Sequence, residues 1–261
     1  MPENEPRLIS SQEQFGRQAR YYVNSAAHRE GESLEVVIEW ASRARYRQAV
    51  DIATGVGFTA FAIAPYAENV LATDITPAML YEAAQIASNR GLTNVRCALA
   101  AAEDLPFADS SVDLVTCRTA AHHFEDLPKA VAEWRRVLAP DGVLILADTV
   151  CPEDRTVATW MNDIEARRDP SHVRDLSPSE WRSLLEAHNL CVTDSALTPV
   201  PLEFGDWVRR SGTPVHVAHK LRKDFSQASP SVTATFGINE TDEGTIPFHW
   251  DCLVLRAVPQ D

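Results

Sequence analysis

The chain has 261 residues, 45% hydrophobic and 23% charged, the composition of an ordinary globular protein with enough length for a full core. Thirty-seven acidic residues against 24 basic ones give a net charge of −13, which argues against the sequence-independent nucleic-acid binding that rests on Lys and Arg neutralising phosphates. No apolar run approaches the ~18 residues of a membrane span, and the N-terminus MPENEPRLISSQEQF lacks the basic start and apolar stretch of a secretory signal.

The N-terminal segment, about residues 10–29, predicts a helix from the spacing of Phe15, Ala19, Tyr22 and Val23. Ser33–Arg45 predicts a second, with Leu34, Val37, Ile38 and Ala41 on one face. A regular alternation then begins: strand Gln48–Ile52, helix Thr59–Tyr66, strand Asn69–Thr73, helix Pro77–Arg90, strands Asn94–Leu99 and Ser111–Cys117, helix Leu127–Leu138, strand Gly142–Asp148. Strands and helices alternating at this spacing predict an α/β fold, a parallel sheet with helices on both faces. The unbroken apolar character of VLILAD and VDLVTC fits burial on both sides.

Beyond Asp148 the pattern loosens into helices Asp154–Arg168 and Ser177–His188, a strand Leu190–Leu197, helices Glu203–Arg210 and Thr213–Ala228, and a last strand Ile246–Ala257. Ser177, Pro178 and Glu180 predict a capping box with proline in the first turn. No linker marks a second domain, so 1–261 reads as one unit: a lid helix over 1–30, a core over 45–150, and cap helices with late strands over 150–230. The five cysteines, Cys97, Cys117, Cys151, Cys191 and Cys252, stand singly without a C-x-x-C pair. Neither a metal site nor a disulfide framework is expected, and a reducing cytoplasm fits.

The strongest local signal is VDIATGVGFTA, Val50–Ala60, where an apolar strand turns through Gly55 and Gly57 into a helix. Such turns hold cofactors against backbone amides. Its G-x-G-x-x-A lies close to the dinucleotide fingerprint. Asp51 precedes Gly55 by four residues; a carboxylate facing the mouth of the loop suits a cationic ligand and suits a pyrophosphate poorly. Asp74 ends the next strand about 20 residues on, where an acid takes the ribose hydroxyls of NAD or S-adenosylmethionine. The backbone of Ala102 or Glu103 is placed to meet an adenine edge, with Ile75 and Met79 packing on its face.

The ordered set resembles the class I S-adenosylmethionine-dependent methyltransferases, in particular the small-molecule group that includes the ubiquinone/menaquinone-biosynthesis C-methyltransferases. The residues that carry it are Asp51, Gly55 and Gly57; TDIT at Thr73–Thr76; AEDLPF at Ala102–Phe107; SVDLVTCRTAAHHFEDLPKAV at Ser111–Val131; and EWRRVLAPDGVLILAD at Glu133–Asp148. A likeness to an uncharacterised Bacillus methyltransferase-like subgroup extends into the tail, at RDPSHVRDLSPSEW (Arg168–Trp181) and WVRRSGTP (Trp207–Pro214).

The resemblance implies a Rossmann-like seven-stranded sheet in the order 3-2-1-4-5-7-6, strand 7 antiparallel, with a helical cap. It implies S-adenosyl-L-methionine as cofactor, held by Asp51, Gly55, Gly57, Asp74, Ala102 and Glu103, with Arg118 beside the methionine moiety. Two positions depart from the family. Ala53 replaces the usual first glycine of the cradle, a change without consequence where φ is negative. Ala101 replaces the frequent acid before the adenine-contacting alanine, so recognition leans on backbone amides or on Glu103.

His122 and His123 follow the fourth strand, where the methyl group is expected to point. One of them serves as a general base or polar clamp, or else His123 braces the loop while His122 is solvated. Tyr22 and His28 on the N-terminal helix are candidates for the cofactor's carboxylate or the substrate, or belong to its packing stripe. Asp148 is placed to touch substrate or to cap the next segment, and Trp160, Trp181, Trp207, His216, His219, His249 and Trp250 supply aromatic or imidazole walls if not core.

The expected activity is methyl transfer to an oxygen, nitrogen or carbon of a small-molecule acceptor. Two alternatives stand beside it: a cofactor-binding protein or non-methylating catalyst on the same fold, and an NAD-dependent oxidoreductase, which Asp51 and AEDLPF disfavour. A homodimer is left open.

Overall fold

Period-2 packing sorts the strand residues into two layers. Ala49, Leu114, Ile145, Ala147 and Val254 enter one buried cluster, while Val50, Ile52, Val115, Leu144, Leu146 and Leu255 enter the other. Alternate residues of one apolar strand therefore feed opposite faces, which is why these strands read as continuous hydrophobic runs. The computed structural model describes Gln12, Glu13 and residues 30–260.

The strands are β1 (Tyr46–Ile52), β2 (Ala67–Asp74), β3 (Val95–Leu99), β4 (Val112–Arg118), β5 (Leu138–Val150), β6 (Leu190–Glu203) and β7 (Pro247–Pro259). They form one sheet in the order β3-β2-β1-β4-β5-β7-β6. The pairs from β3 through β5 are parallel, and β7 runs antiparallel to both neighbours. This is the order and polarity expected. The direction of winding reverses between β1 and β4, which opens a crevice at their carboxyl ends.

The helices are α1 (Glu32–Ala41), α2 (Phe58–Ile63), α3 (Pro77–Asn89), α4 (Leu127–Val137), α5 (Arg155–Arg168), α6 (Pro178–Ala187), α7 (Phe204–Arg210), α8 (Val215–Ser226) and α9 (Pro230–Phe236). Their ends follow local chemistry. Pro77 opens α3, and Asp154 caps α5 by accepting from the N–H groups of Thr156 and Val157. The predicted box is present at α6: Ser177 Oγ accepts from Glu180 N, and Glu180 Oε2 accepts from Ser177 N at 2.9 Å.

The last third differs from the sequence expectation in two places. β6 continues to Glu203 rather than stopping at Leu197, paired with β7 through Thr198-Pro199-Val200-Pro201. Its two prolines obscured the strand, and β6 tolerates them as the edge of the sheet. Helix α9 was not anticipated; Ser229 caps it, Pro230 starts it, and Gly237 ends it at φ +61°. These helices enclose a third buried cluster containing Val157, Met161, Phe204, Trp207, Phe225, Phe236, Phe248 and Trp250.

Gly57 is required where α2 begins. Its φ is +94°, and a Cβ there would lie 2.3 Å from the ring of Phe61, itself buried. Gly57→Ala is expected to destabilise the protein by about 1–3 kcal/mol, through left-handed strain and overpacking. Urea unfolding checks this, and an unchanged midpoint contradicts it.

Candidate active site

The carboxylate of Asp51 is sealed rather than presented. Its side chain is 1% exposed. Oδ2 accepts from Thr54 Oγ1 at 2.5 Å and Ala60 N at 3.1 Å, and Oδ1 accepts from Thr116 Oγ1 at 2.7 Å. Burial pushes its pKa up to about 6 against the pull of these bonds. The sequence placed this charge at the mouth of the loop; the structure turns it inward, because three donors from the loop, α2 and β4 converge on it. It organises the turn and does not line the cleft.

Ala53 also departs from expectation: its φ is +50°, not negative. The left-handed conformation costs a non-glycine residue roughly 1–2 kcal/mol. Thr54 N donating to Thr73 O at 2.8 Å holds the chain there. The turn then brings Gly55 N to Asp74 Oδ2 at 2.9 Å, while Asp74 Oδ1 accepts from Thr76 N at 2.8 Å. The Ile75 N–H and the Thr76 hydroxyl also act on this carboxylate, which lies on the cleft wall. At Gly55 (φ +55°) a Cβ would meet no atom, so its backbone stands open to an approaching group.

Helix α4 fixes the third wall. Trp134, fully buried, donates its indole N–H to Ala102 O at 3.2 Å. Glu133 Oε1 accepts from Leu105 N at 2.7 Å, and Arg136 donates to Phe107 O at 2.9 Å. The WRR of α4 thus holds the AEDLPF loop against the sheet. Ala53, Gly55, Asp74, Ile75, Met79, Ala102, Glu103 and Arg118 all line one cleft of about 370 Å³. Gly57 stands behind it, at the start of α2. Arg118 Nε donates to Thr59 Oγ1 at 2.9 Å. Tyr22, His28 and the lid segment 1–30, apart from Gln12, Glu13 and Glu30, lie outside the described residues.

The other end of the cleft is built from the β4 and β5 ends and the loop after α5. Thr119, the first residue after β4, is left-handed at φ +54°, with its N–H on Ala147 O at 2.7 Å. His122 is bound twice by Asp148: Nδ1 to Oδ1 at 2.7 Å, and backbone N to Oδ2 at 2.8 Å. The Asp148 carboxylate is therefore spent on the histidine rather than on capping α5. His122 O in turn accepts from Val173 N and Arg174 N, and His123 Nδ1 lies 3.0 Å from Ser171 O. A carbonyl can only accept, so Nδ1 of His123 carries the proton.

These contacts divide the histidines. Burial lowers the pKa of His122, but the charge and hydrogen bond of Asp148 overcome it and lift the pKa to about 9. Burial, then the His122 charge, pushes His123 down to about 3 and His172 down to about 4. At neutral pH His122 is a cation with no site for a proton, and His123 is neutral but a feeble base.

Sequence reasoning missed Glu165, Asp169, His172 and Asp175, all buried and lining this end of the cleft. For the last three the signal was present in RDPSHVRDLS, a run of chemically active residues without helical period, whereas Glu165 sits within α5. Trp207 and Trp250 line the cleft, while Trp160 stacks on Phe236 and Trp181 packs in the sheet core; His216, His219 and His249 do not line it. Among the described residues no cluster of His, Cys, Asp or Glu is arranged to hold a metal ion.

A seven-stranded 3-2-1-4-5-7-6 sheet with this glycine turn and an acid at the end of β2 defines a class. The chain belongs to the class I S-adenosylmethionine-dependent methyltransferases, with S-adenosylmethionine as methyl donor. The methyltransferase domain family matches residues 50–146. The chain is 36% identical to the uncharacterized methyltransferase YcgJ of Bacillus subtilis over 251 residues, 96% of this chain and 99% of that one. The YcgJ crystal structure superposes with a TM-score of 0.84, covering 88% of this chain and 98% of the other. A putative methyltransferase from Bacillus halodurans, 28% identical, gives 0.83 over 87% and 99%. Demethylmenaquinone methyltransferase of Thermus thermophilus is 41% identical over 105 residues, 39% of this chain and 47% of that enzyme.

The His122–Asp148 pair has a consequence in pH. Between the ordinary histidine pKa of about 6.5 and the folded value of about 9, the native state holds a proton that the unfolded state does not. The pair's contribution to stability is full below pH ~6.5 and is lost as pH rises through about 9. Asp148→Asn is expected to abolish this slope and to bring the His122 midpoint, followed by NMR, below 6.5. Parallel stability curves for the two proteins across that window would contradict the assignment.

Proposed function

We propose that this protein transfers the methyl group of S-adenosylmethionine to a small-molecule acceptor admitted beneath residues 150–230 and the N-terminal segment. The observation that carries the reading is one cleft with two chemically distinct ends. Gly55, Asp74, Met79 and Ala102 line one end; His122, His172 and Asp175 line the other. A volume of about 370 Å³ lies in the range of small-molecule sites, roughly 300–1,000 Å³. Buried groups such as Asp175 are out of reach of a folded macromolecule.

The residues present fit the cofactor. Asp74 offers acceptor positions to ribose hydroxyls, Gly55 offers an uncovered backbone, and Ile75, Met79 and Ala102 form apolar walls that exclude water from an adenine ring. S-adenosylmethionine, when bound, supplies a methyl group already activated on a sulfonium sulfur. Arg118 and the left-handed Thr119 border the passage to the acceptor end, and His122, fixed by Asp148, orients an acceptor there by donating a hydrogen bond. Alignment of the acceptor supplies roughly 7–11 kcal/mol of the barrier reduction, more than the 10²–10⁴-fold of a general base. With His122 protonated and His123 weakly basic, positioning is the dominant contribution.

Titration calorimetry tests this reading. S-adenosylhomocysteine is expected to bind and NAD is not. Asp74→Asn is expected to weaken the sulfur ligand by about tenfold or more, the worth of a charge-assisted hydrogen bond. Incubation with labelled methyl donor and a metabolite extract is expected to yield a labelled small molecule. Absence of S-adenosylhomocysteine binding, or label found only in protein or nucleic acid, contradicts the proposal.

A further inference from the structure

Asp175 lies between α5 and α6 with its backbone clamped on both sides by Asn162: Oδ1 accepts from Asp175 N at 2.8 Å, and Nδ2 donates to Asp175 O at 3.2 Å. Its side chain is 1% exposed, and neither carboxylate oxygen has a hydrogen-bond partner among the described residues. The imidazole of His172, whose pKa is pushed down to about 4, brings Nε2 to 3.9 Å, and that nitrogen donates instead to Asn162 Oδ1 at 3.2 Å. A rigidly held, buried carboxylate without donors is unfavourable in the empty protein. It lines the cleft.

The neighbouring charges indicate what completes it. His122 is matched by Asp148 at 2.7 Å, and Arg168 by Glu165 at 2.7 Å. Asp169 accepts from Ser171 N and Oγ at 2.9 and 2.7 Å. Glu165 also accepts from the indole N–H groups of Trp207 and Trp250, which turns both tryptophans' polar edges toward it. The cations of this end are engaged, Arg210 on Asp206 at 2.9 Å among them, and the remaining walls include Trp207, Trp250, Val200 and Leu202. Burial raises the pKa of Asp175 well above the ordinary value, against the pull of the His122 charge.

We propose that Asp175 is the recognition residue of the acceptor subsite and that the acceptor carries an amino group, donating its N–H bonds to this carboxylate while an aromatic or aliphatic body lies along Trp207, Trp250 and Leu202. The inference rests on the methyltransferase reading of the same cleft and names the acceptor class. A hydroxyl acceptor would offer one donor and no charge; an ammonium group offers up to three donors and the countercharge that Asp175 lacks.

The test uses the whole protein and three matched pairs: benzylamine, 2-phenylethylamine and tryptamine against benzyl alcohol, 2-phenylethanol and tryptophol. Binding is measured by calorimetry with and without saturating S-adenosylhomocysteine, so the amine result stands whatever the sulfur ligand does. At least one amine is expected to bind tenfold or more tightly than its alcohol, and Asp175→Asn to remove that preference while leaving S-adenosylhomocysteine affinity unchanged. The variant also reports on the group's role in the empty protein: replacing a buried, unpartnered acid by an uncharged amide of the same shape is expected to hold or raise Tm. Equal binding of amines and alcohols, or a marked fall in Tm, overturns the proposal. Loss of S-adenosylhomocysteine affinity in Asp175→Asn overturns it too, because the carboxylate then serves the cofactor's own ammonium group. Failure of wild-type S-adenosylhomocysteine binding with the amine preference intact strikes the methyltransferase reading alone.

Discussion

The carboxylate of Asp51 is the point on which the cofactor end depends. From the end of β1 it collects one donor from the turn (Thr54), one from the first turn of α2 (Ala60 N) and one from the adjacent strand (Thr116). Strand, loop, helix and neighbour are thereby fixed to one buried group, whose charge also complements the start of α2. With the turn held, Gly55 N reaches Asp74, and the acid that faces the cleft acquires its orientation. One aspartate shapes the cleft from behind and the other lies on its wall.

Backbone strain is concentrated at the same place. Ala53 and Thr119 are the first residues after β1 and β4, and both are left-handed. Thr119 is the more demanding case because it is β-branched. Each is held by a hydrogen bond to the neighbouring strand's carbonyl, Thr73 for the Ala53 turn and Ala147 for Thr119. These two strands flank the point where the winding reverses, so both chains must turn sharply away to leave the crevice open.

The fold was legible because its signals are local and repeated. Apolar runs, the Pro77 helix start and the Ser177 capping box each name an element without tertiary help. The cofactor end was legible as a pattern of residues, though the inward turn of Asp51 and the φ of Ala53 were not, since both depend on donors from elements far apart in sequence. The acceptor end was less legible. Asp148 and His122 lie 26 positions apart and meet only across β4 and β5, and the isolation of Asp175 is visible only once everything around it has been paired with something else. The extent of β6 and the presence of α9 were missed where prolines, which interrupt most patterns, sit at a sheet edge and at a helix start and break nothing.

The ties between the turn after β4 and the loop after α5 bear on how such a protein diversifies. Residues 53–103 furnish most of one end of the cleft and residues 149–252 most of the other, so on the proposed function the two ligands are served by successive stretches of chain. The boundary is not a clean seam. His122 O receives Val173 and Arg174, His123 reaches Ser171, and Asp148 grips His122, so these positions form a single joint. Recombination that exchanges the second stretch for another protein's must carry this joint as a block or break it. This end of the cleft is therefore inherited in two pieces, a short one after β4 and a long one after β5, and they travel together.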